Sequence, residues 1–230
     1  MNIIGIDPSL ISTAVAVNGK LINYCREEKA TLSKGGLTKW FKMCESELEL
    51  SFINFRTYEN YSDGELIKLK DYDKITNQII SDIEKNIDKS QPTRIGIEGY
   101  SYASDAGDII DLVTFSTLLR KKLFDYISQD IIVMAPSTLK QETCKLTYPP
   151  INEGKKKEKW VYKNNDGISG GSFTKHGMYL AIIENASLTD PWAKLCKSLK
   201  TDLMGMKMFP KPFEDVDDAY LIYNILKNKL

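Results

Sequence analysis

The chain has 230 residues, 31 basic and 31 acidic side chains, one histidine and four cysteines. Apolar residues make up 42% and charged residues 27%, which excludes a disordered or collagen-like chain, and no apolar run approaches the ~18 residues of a membrane span. A net charge of zero stands against a strongly basic nucleic-acid binder.

The opening residues Met1-Asn2-Ile3 lack the basic region of a secretory signal. Ile3 to Ile6 reads as a short buried strand, broken by Pro8-Ser9. Ser12 to Val17 and Lys20 to Arg26 read as two strands joined at Asn18-Gly19, since both residues tolerate positive φ. Trp40, Phe41 and Met43 suggest a short helix, and Phe52 to Tyr58 fits a strand. From Glu65 to Asp88, apolar residues recur at three- and four-residue steps (Leu66, Leu69, Tyr72, Ile75, Ile79, Ile83), which predicts an amphipathic helix. Arg94 to Glu98 is a strand with both isoleucines on one face. Asp105 to Tyr126 repeats the helical pattern, and Ile131 to Ala135 is a buried strand. Ser137 is a candidate N-cap for a helix from about Leu139. Residues 146–171 read as a loop, Phe173 to Ala186 as a helix, residues 187–211 as irregular, and Asp215 to Lys227 as the closing helix. Strands alternating with helices predict an α/β layer, and the opening hairpin makes its sheet mixed.

The cysteines (Cys25, Cys44, Cys144 and Cys196) contain no CxxC pair, and only His176 is available to join them. Zinc is therefore disfavoured. The cysteines read as buried packing residues in a reducing, cytoplasmic setting. A lone histidine also disfavours a Ser-His-Asp or Cys-His enzyme.

Acids gather at informative places. Asp7 ends the first strand and Glu98 ends a later one, where α/β sheets collect functional groups. Asp215 and Asp218, three apart, share one helical face, whereas Asp217 points elsewhere. An oxygen-only cluster of this kind prefers Mg²⁺ or Mn²⁺. Two such ions clamp the attacking and leaving oxygens of a phosphoryl displacement. Singly, each acid has a plainer reading: a turn residue at Asp7, a strand-end charge at Glu98, a helix N-terminal charge at 214–218.

The motifs Ile-Gly-Ile-Asp7-Pro-Ser, Gly-Ile-Glu98 and Asp215-x-x-Asp218-Ala, in that order, resemble the RuvC family of Holliday junction resolvases. So do Ala135-Pro136-Ser137-x-x-Lys140 and Gly171-x-x-x-Lys175-x-x-Met178. The resemblance spans nearly the whole chain. It implies a ribonuclease-H-like mixed sheet flanked by helices, in a single nuclease domain over residues 1–230. It implies Asp7, Glu98, Asp215 and Asp218 as ligands of Mg²⁺ or Mn²⁺, with two ions. Lys140 and Lys175 would face phosphate, Lys175 within the catalytic set. The activity implied is metal-dependent hydrolysis of branched DNA by a homodimer, leaving 5′-phosphate and 3′-hydroxyl ends. Extra length at about 30–64 and 146–170 implies a divergent, phage or viral branch, in a bacterial cytoplasm or an infected host cell. Tyr100 and Tyr102 flank the place where the family puts a base-stacking aromatic. Lys155, Lys156 and Lys157, with Trp160 nearby, fit a grip on a DNA backbone or a solvated loop. His176 fits a phosphate contact or a structural helix residue. Alternatives are a nuclease acting on RNA–DNA hybrids, a sugar-kinase relative, and a non-catalytic junction binder.

The zero charge is itself a sum of unlike parts. Residues 1–135 carry 16 basic and 20 acidic side chains, residues 136–211 carry 13 and 7, and residues 212–230 carry 2 and 4. The basic excess falls where both family lysines lie, as a phosphate backbone requires.

Overall fold

In a computed structural model of the chain, residues 1–100, 106–154 and 158–229 are described, with the side chains of residues 106–108 left aside. The expected positions Tyr102, Lys155, Lys156 and Lys157 lie outside the described residues. Six strands form the main sheet: β1 (Asn2–Asp7), β2 (Ser12–Val17), β3 (Lys20–Arg26), β4 (Glu49–Ile53), β5 (Thr93–Glu98) and β6 (Ile131–Met134). Their order is β4-β3-β2-β1-β5-β6. Only β2 runs against its neighbours; β1 pairs in parallel with β5, β5 with β6 and β3 with β4. The mixed sheet flanked by helices expected from the sequence is the one observed. Among the described residues no helix is long and apolar enough to cross a membrane.

Side-chain alternation sends the strands' residues to two cores. Ile4, Ile6, Val15, Ile95 and Ile97 face α3 (Tyr61–Asn86) and α4 (Ala106–Tyr126). Ile3, Ala14, Ala16 and Leu21 face the opposite layer. That layer holds α5 (Pro136–Thr147), α6 (Lys175–Glu184), α7 (Pro191–Ser198) and α9 (Phe213–Asn228). The remaining helices are short: α1 (Glu27–Ala30), α2 (Lys39–Cys44) and α8 (Lys200–Met204). All four cysteines are free thiols and buried.

Two glycines set the α9 layer. Gly5 and Gly96 sit opposite each other in the β1–β5 register. A Cβ on Gly5 would lie 2.3 Å from the Ala219 carbonyl oxygen and 2.5 Å from the Tyr223 nitrogen. A Cβ on Gly96 would lie 2.5 Å from Ile222. The Ile-Gly-Ile repeat therefore cuts a notch across the sheet, into which the α9 backbone drops.

Several elements differ from the sequence reading. The strand expected over 52–58 is β4, which ends at Ile53 because its register follows β3 from Ile22 to Arg26. The expected loop at 146–171 contains a two-stranded hairpin, β7 (Pro150–Asn152) and β8 (Trp160–Tyr162), and a 3-10 turn at Gly170–Ser172. The stretch 187–211 holds α7 and α8. Ser137 is not an N-cap: α5 starts one turn earlier, with Pro136 in its first turn and Ala135 as the cap. Proline tolerates that position because its missing N–H would be unpaired anyway.

Candidate active site

The notch decides where the acids go. Asp7 follows Gly5 by two residues and Glu98 follows Gly96 by two, so on a pleated strand both point to the α9 side. On α9, Ala219, Ile222 and Tyr223 occupy the glycine notch. Asp215 and Asp218, one turn earlier on that stripe, hang over the strand ends. Asp7, Glu98 and Asp218 each bring a carboxylate oxygen within 4.8 Å of the others. Asp7, Asp215 and Asp218 are buried.

Two ammonium groups accompany these carboxylates. Lys175, at the first turn of α6, hydrogen-bonds Asp218 and lies 3.8 Å from Glu214. Lys211 hydrogen-bonds Asp215 and lies 3.3 Å from Glu214. Asp215 is not one of the three whose oxygens converge. Its Oδ2 is buried with no hydrogen-bond partner among the described residues, and a buried acceptor is costly to leave unpaired.

Burial and mutual repulsion raise the acids' pKa values. Asp7 is raised well above the carboxylate range, first by burial, then by Glu98, Asp215 and Asp218. Glu98 is pushed up to about 7 by burial and the Asp218 charge. Burial also raises Asp215 and Asp218, against the pull of Lys211 and Lys175 respectively. For Lys175, burial opposes the charged form, but Asp218, Asp7 and Glu98 outweigh it and hold the ammonium protonated.

The donor set is oxygen only, convergent and partly unsatisfied, which fits a hard divalent cation such as Mg²⁺ or Mn²⁺. It opens into a cleft of about 320 Å³ lined by Pro8, Glu98, Lys140, Lys175, Glu214 and Asp218, among others.

The structure thus brings Asp7, Glu98, Asp215, Asp218, Lys140 and Lys175 to one place. Tyr100 stands at its edge, held against α4: the Arg120 guanidinium lies 4.4 Å from its ring centre, and its hydroxyl is 2.9 Å from Thr117 Oγ1. His176 does not line the cleft. Its Nε2 donates to the Met206 carbonyl at 2.8 Å and its ring meets Phe209 edge-on. Asp217 points into the core as expected, accepting from Trp192 Nε1 at 2.9 Å. Sequence reasoning missed Lys211 and Glu214. Their signal is spacing: Lys211 precedes Asp215 by four residues, one helical turn, and so meets it at the helix entrance.

No protein-family model matches the chain. No curated protein matches it in sequence. The solved structures similar to it include Thermus thermophilus RuvC and T. thermophilus RuvC in complex with a Holliday junction substrate. They show 11% and 10% identity, cover 100% of this chain and 96% of theirs, and give a TM-score of 0.45 each. A likeness of that strength carries no functional conclusion, which rests instead on the residues.

Proposed function

We propose that the chain is a Mg²⁺- or Mn²⁺-dependent endonuclease for branched DNA, with the four-way junction as its leading substrate. One observation carries this: three carboxylates from two parallel strand ends and one helix converge within 4.8 Å, in a cleft that also presents Lys140 and Lys175. Anionic ligands for a cation and ammonium groups for a phosphate, side by side, suit phosphodiester hydrolysis.

Asp7, Glu98, Asp215 and Asp218 would hold the metal, which supplies Lewis-acid charge to the oxygens of the reacting phosphate. Lys175 holds Asp218 in place and offsets the cluster's negative charge. Lys140, which also lines the cleft, would face the phosphate. Pro8, Leu139 and Met178 give the cleft an apolar flank that limits water. Lys155, Lys156 and Lys157 add a sequence-independent grip on the backbone. The reaction adds water to phosphorus and breaks its bond to the 3′ oxygen, leaving 5′-phosphate and 3′-hydroxyl ends. A homodimer would place two such sites for opposed strands.

Labelled junction, fork, flap, duplex and RNA–DNA hybrid substrates, each with Mg²⁺ or Mn²⁺ and end mapping, test this reading. Paired symmetric cuts in the junction are expected. Cleavage of the hybrid alone would move the chain to the RNA-directed alternative, and five uncut substrates would sink the proposal. Asp7→Asn should abolish cutting while leaving junction binding intact.

A further inference from the structure

A second cleft has a volume of about 450 Å³. The two clefts are lined by neighbouring residues of the same segments. Pro8 lines the catalytic cleft and Leu10 the second; Leu112 lines the catalytic cleft and Asp111 the second. Two residues of extended chain span at most about 7 Å, so the two clefts border the same loop after β1 and the same turn of α4. Arg26 ends β3, which runs in the same direction as β1, so the second cleft lies along the edge of the sheet that carries Asp7.

Its lining differs from that of the catalytic cleft. Arg26, Arg56 and Lys68 stand there among Asp71 and Asp111, and Phe55 and the exposed Tyr58 contribute aromatic surface; Arg26 and Lys68 also lie 3.9 and 3.3 Å from Glu28 and Glu65. Each key group is held in place. The Arg26 guanidinium lies 4.4 Å from the Phe55 ring centre, and its Nε donates to the Leu10 carbonyl at 3.3 Å. Arg56 is spent on Asp71 through side-chain contacts of 2.6 and 2.7 Å. Lys68 pairs with Asp111 at 3.0 Å. The Tyr58 ring rests on Gly64, where a Cβ would lie 2.5 Å from it. A glycine in the first turn of α3 weakens the helix, and the seating of that ring is what it provides. Phe55 to Tyr58 come from the end of the 30–64 stretch, for which the catalytic cluster has no use.

A fixed guanidinium plane beside exposed aromatic surface is the kind of platform on which an unpaired base stacks. We propose that the second cleft takes an unpaired nucleotide of the substrate strand, next to the phosphate in the catalytic cleft. This rests on the nuclease reading and makes residues 26 and 55–58 determinants of its preference for branched DNA.

The test uses the full-length Asp7→Asn protein, so that binding is read without cleavage. Affinities are measured by fluorescence anisotropy for a fork with unpaired nucleotides at the branch and for a fully paired duplex of equal length. Adding Tyr58→Leu or Arg26→Ala should weaken fork binding about tenfold and change duplex binding less than twofold. Arg26→Lys keeps the charge and loses the plane, and should retain only part of the fork affinity. A 2-aminopurine beside the branch should be quenched on binding and recover with Tyr58→Leu, an exposed loop position whose change spares the core. Equal losses on fork and duplex, or no loss on either, would overturn the second cleft while leaving the nuclease reading standing. Failure of the Asp7→Asn protein to bind any DNA would overturn both.

Discussion

Asp217 lies between two of the proposed ligands in sequence and faces away from them in space. It is buried, and burial pushes its carboxyl from the usual 3.8 up to about 8, against the hydrogen bonds from Trp192 and Cys196. The folded protein therefore keeps a proton that the unfolded chain has lost above its ordinary pKa. By linkage this costs stability progressively as pH climbs from about 4 to about 8. Asp217→Asn cannot ionise and keeps an acceptor for Trp192, so its denaturation midpoint in urea should fall less steeply over that range. Asp217→Ala leaves the Trp192 N–H without a partner and should cost about 1–3 kcal/mol at neutral pH. Asp7 is disfavoured as a charge in the same sense, and without metal its neutral replacement should stabilise the fold. Burial and three neighbouring carboxylates work against its charge, so Asp7→Asn should melt higher than wild type in a chelator. A lower melting temperature there would mean that Asp7 is paired in a way its surroundings do not show.

At the scale of elements, the glycine notch is the feature on which the site depends. Gly5→Ala places a methyl against the α9 backbone, which cannot swing aside as a flexible side chain would. The helix must shift, at a cost of about 1–3 kcal/mol or more, and Asp215 and Asp218 shift with it. The variant should lose both thermal stability and the stabilising response to Mg²⁺. Gly171→Ala is the control, since nothing there lies nearer than 3.6 Å, and it should leave both unchanged. This notch explains why the site was legible in the sequence. Ile-Gly-Ile-Asp7 and Ile-Gly-Ile-Glu98 are one pattern written twice, and period-two alternation puts each acid on its glycine's face. The long helices α3 and α4 were legible from their apolar recurrence, although Leu66 and Leu69 at the head of α3 are exposed. What stayed hidden depends on partners distant in sequence. The end of β4 is set by its pairing with β3, and β7 and β8 are three residues each, too short for periodicity to register. Lys211 and Glu214 precede or open a helix, where charge by itself does not reveal what it will meet.

At the scale of the molecule, α9 is the element in which packing and the acidic site meet. It lies over β1, β2 and β5 between the sheet and the outer helices, so whatever its acids hold is felt by the whole layer. Four acids are gathered there against two lysines, and burial raises the pKa of each acid. A divalent cation that binds the folded chain and not the unfolded one stabilises it by mass action, about 2.7 kcal/mol at a hundredfold excess over the dissociation constant. For a chain of this length each kcal/mol moves the melting temperature by about 2–4 °C, so Mg²⁺ or Mn²⁺ at that excess should raise it by about 5–11 °C. Beyond the dissociation constant the shift should grow only with the logarithm of the metal concentration, and it should vanish in Asp7→Asn. It should also be weaker at pH 5 than at pH 8, because Glu98, with a pKa of about 7, must give up its proton before it can serve as a ligand. Calorimetric scans at both pH values check the sign. A shift that keeps growing with salt of any kind would trace instead to screening of the neutral chain's surface charges, which needs no site.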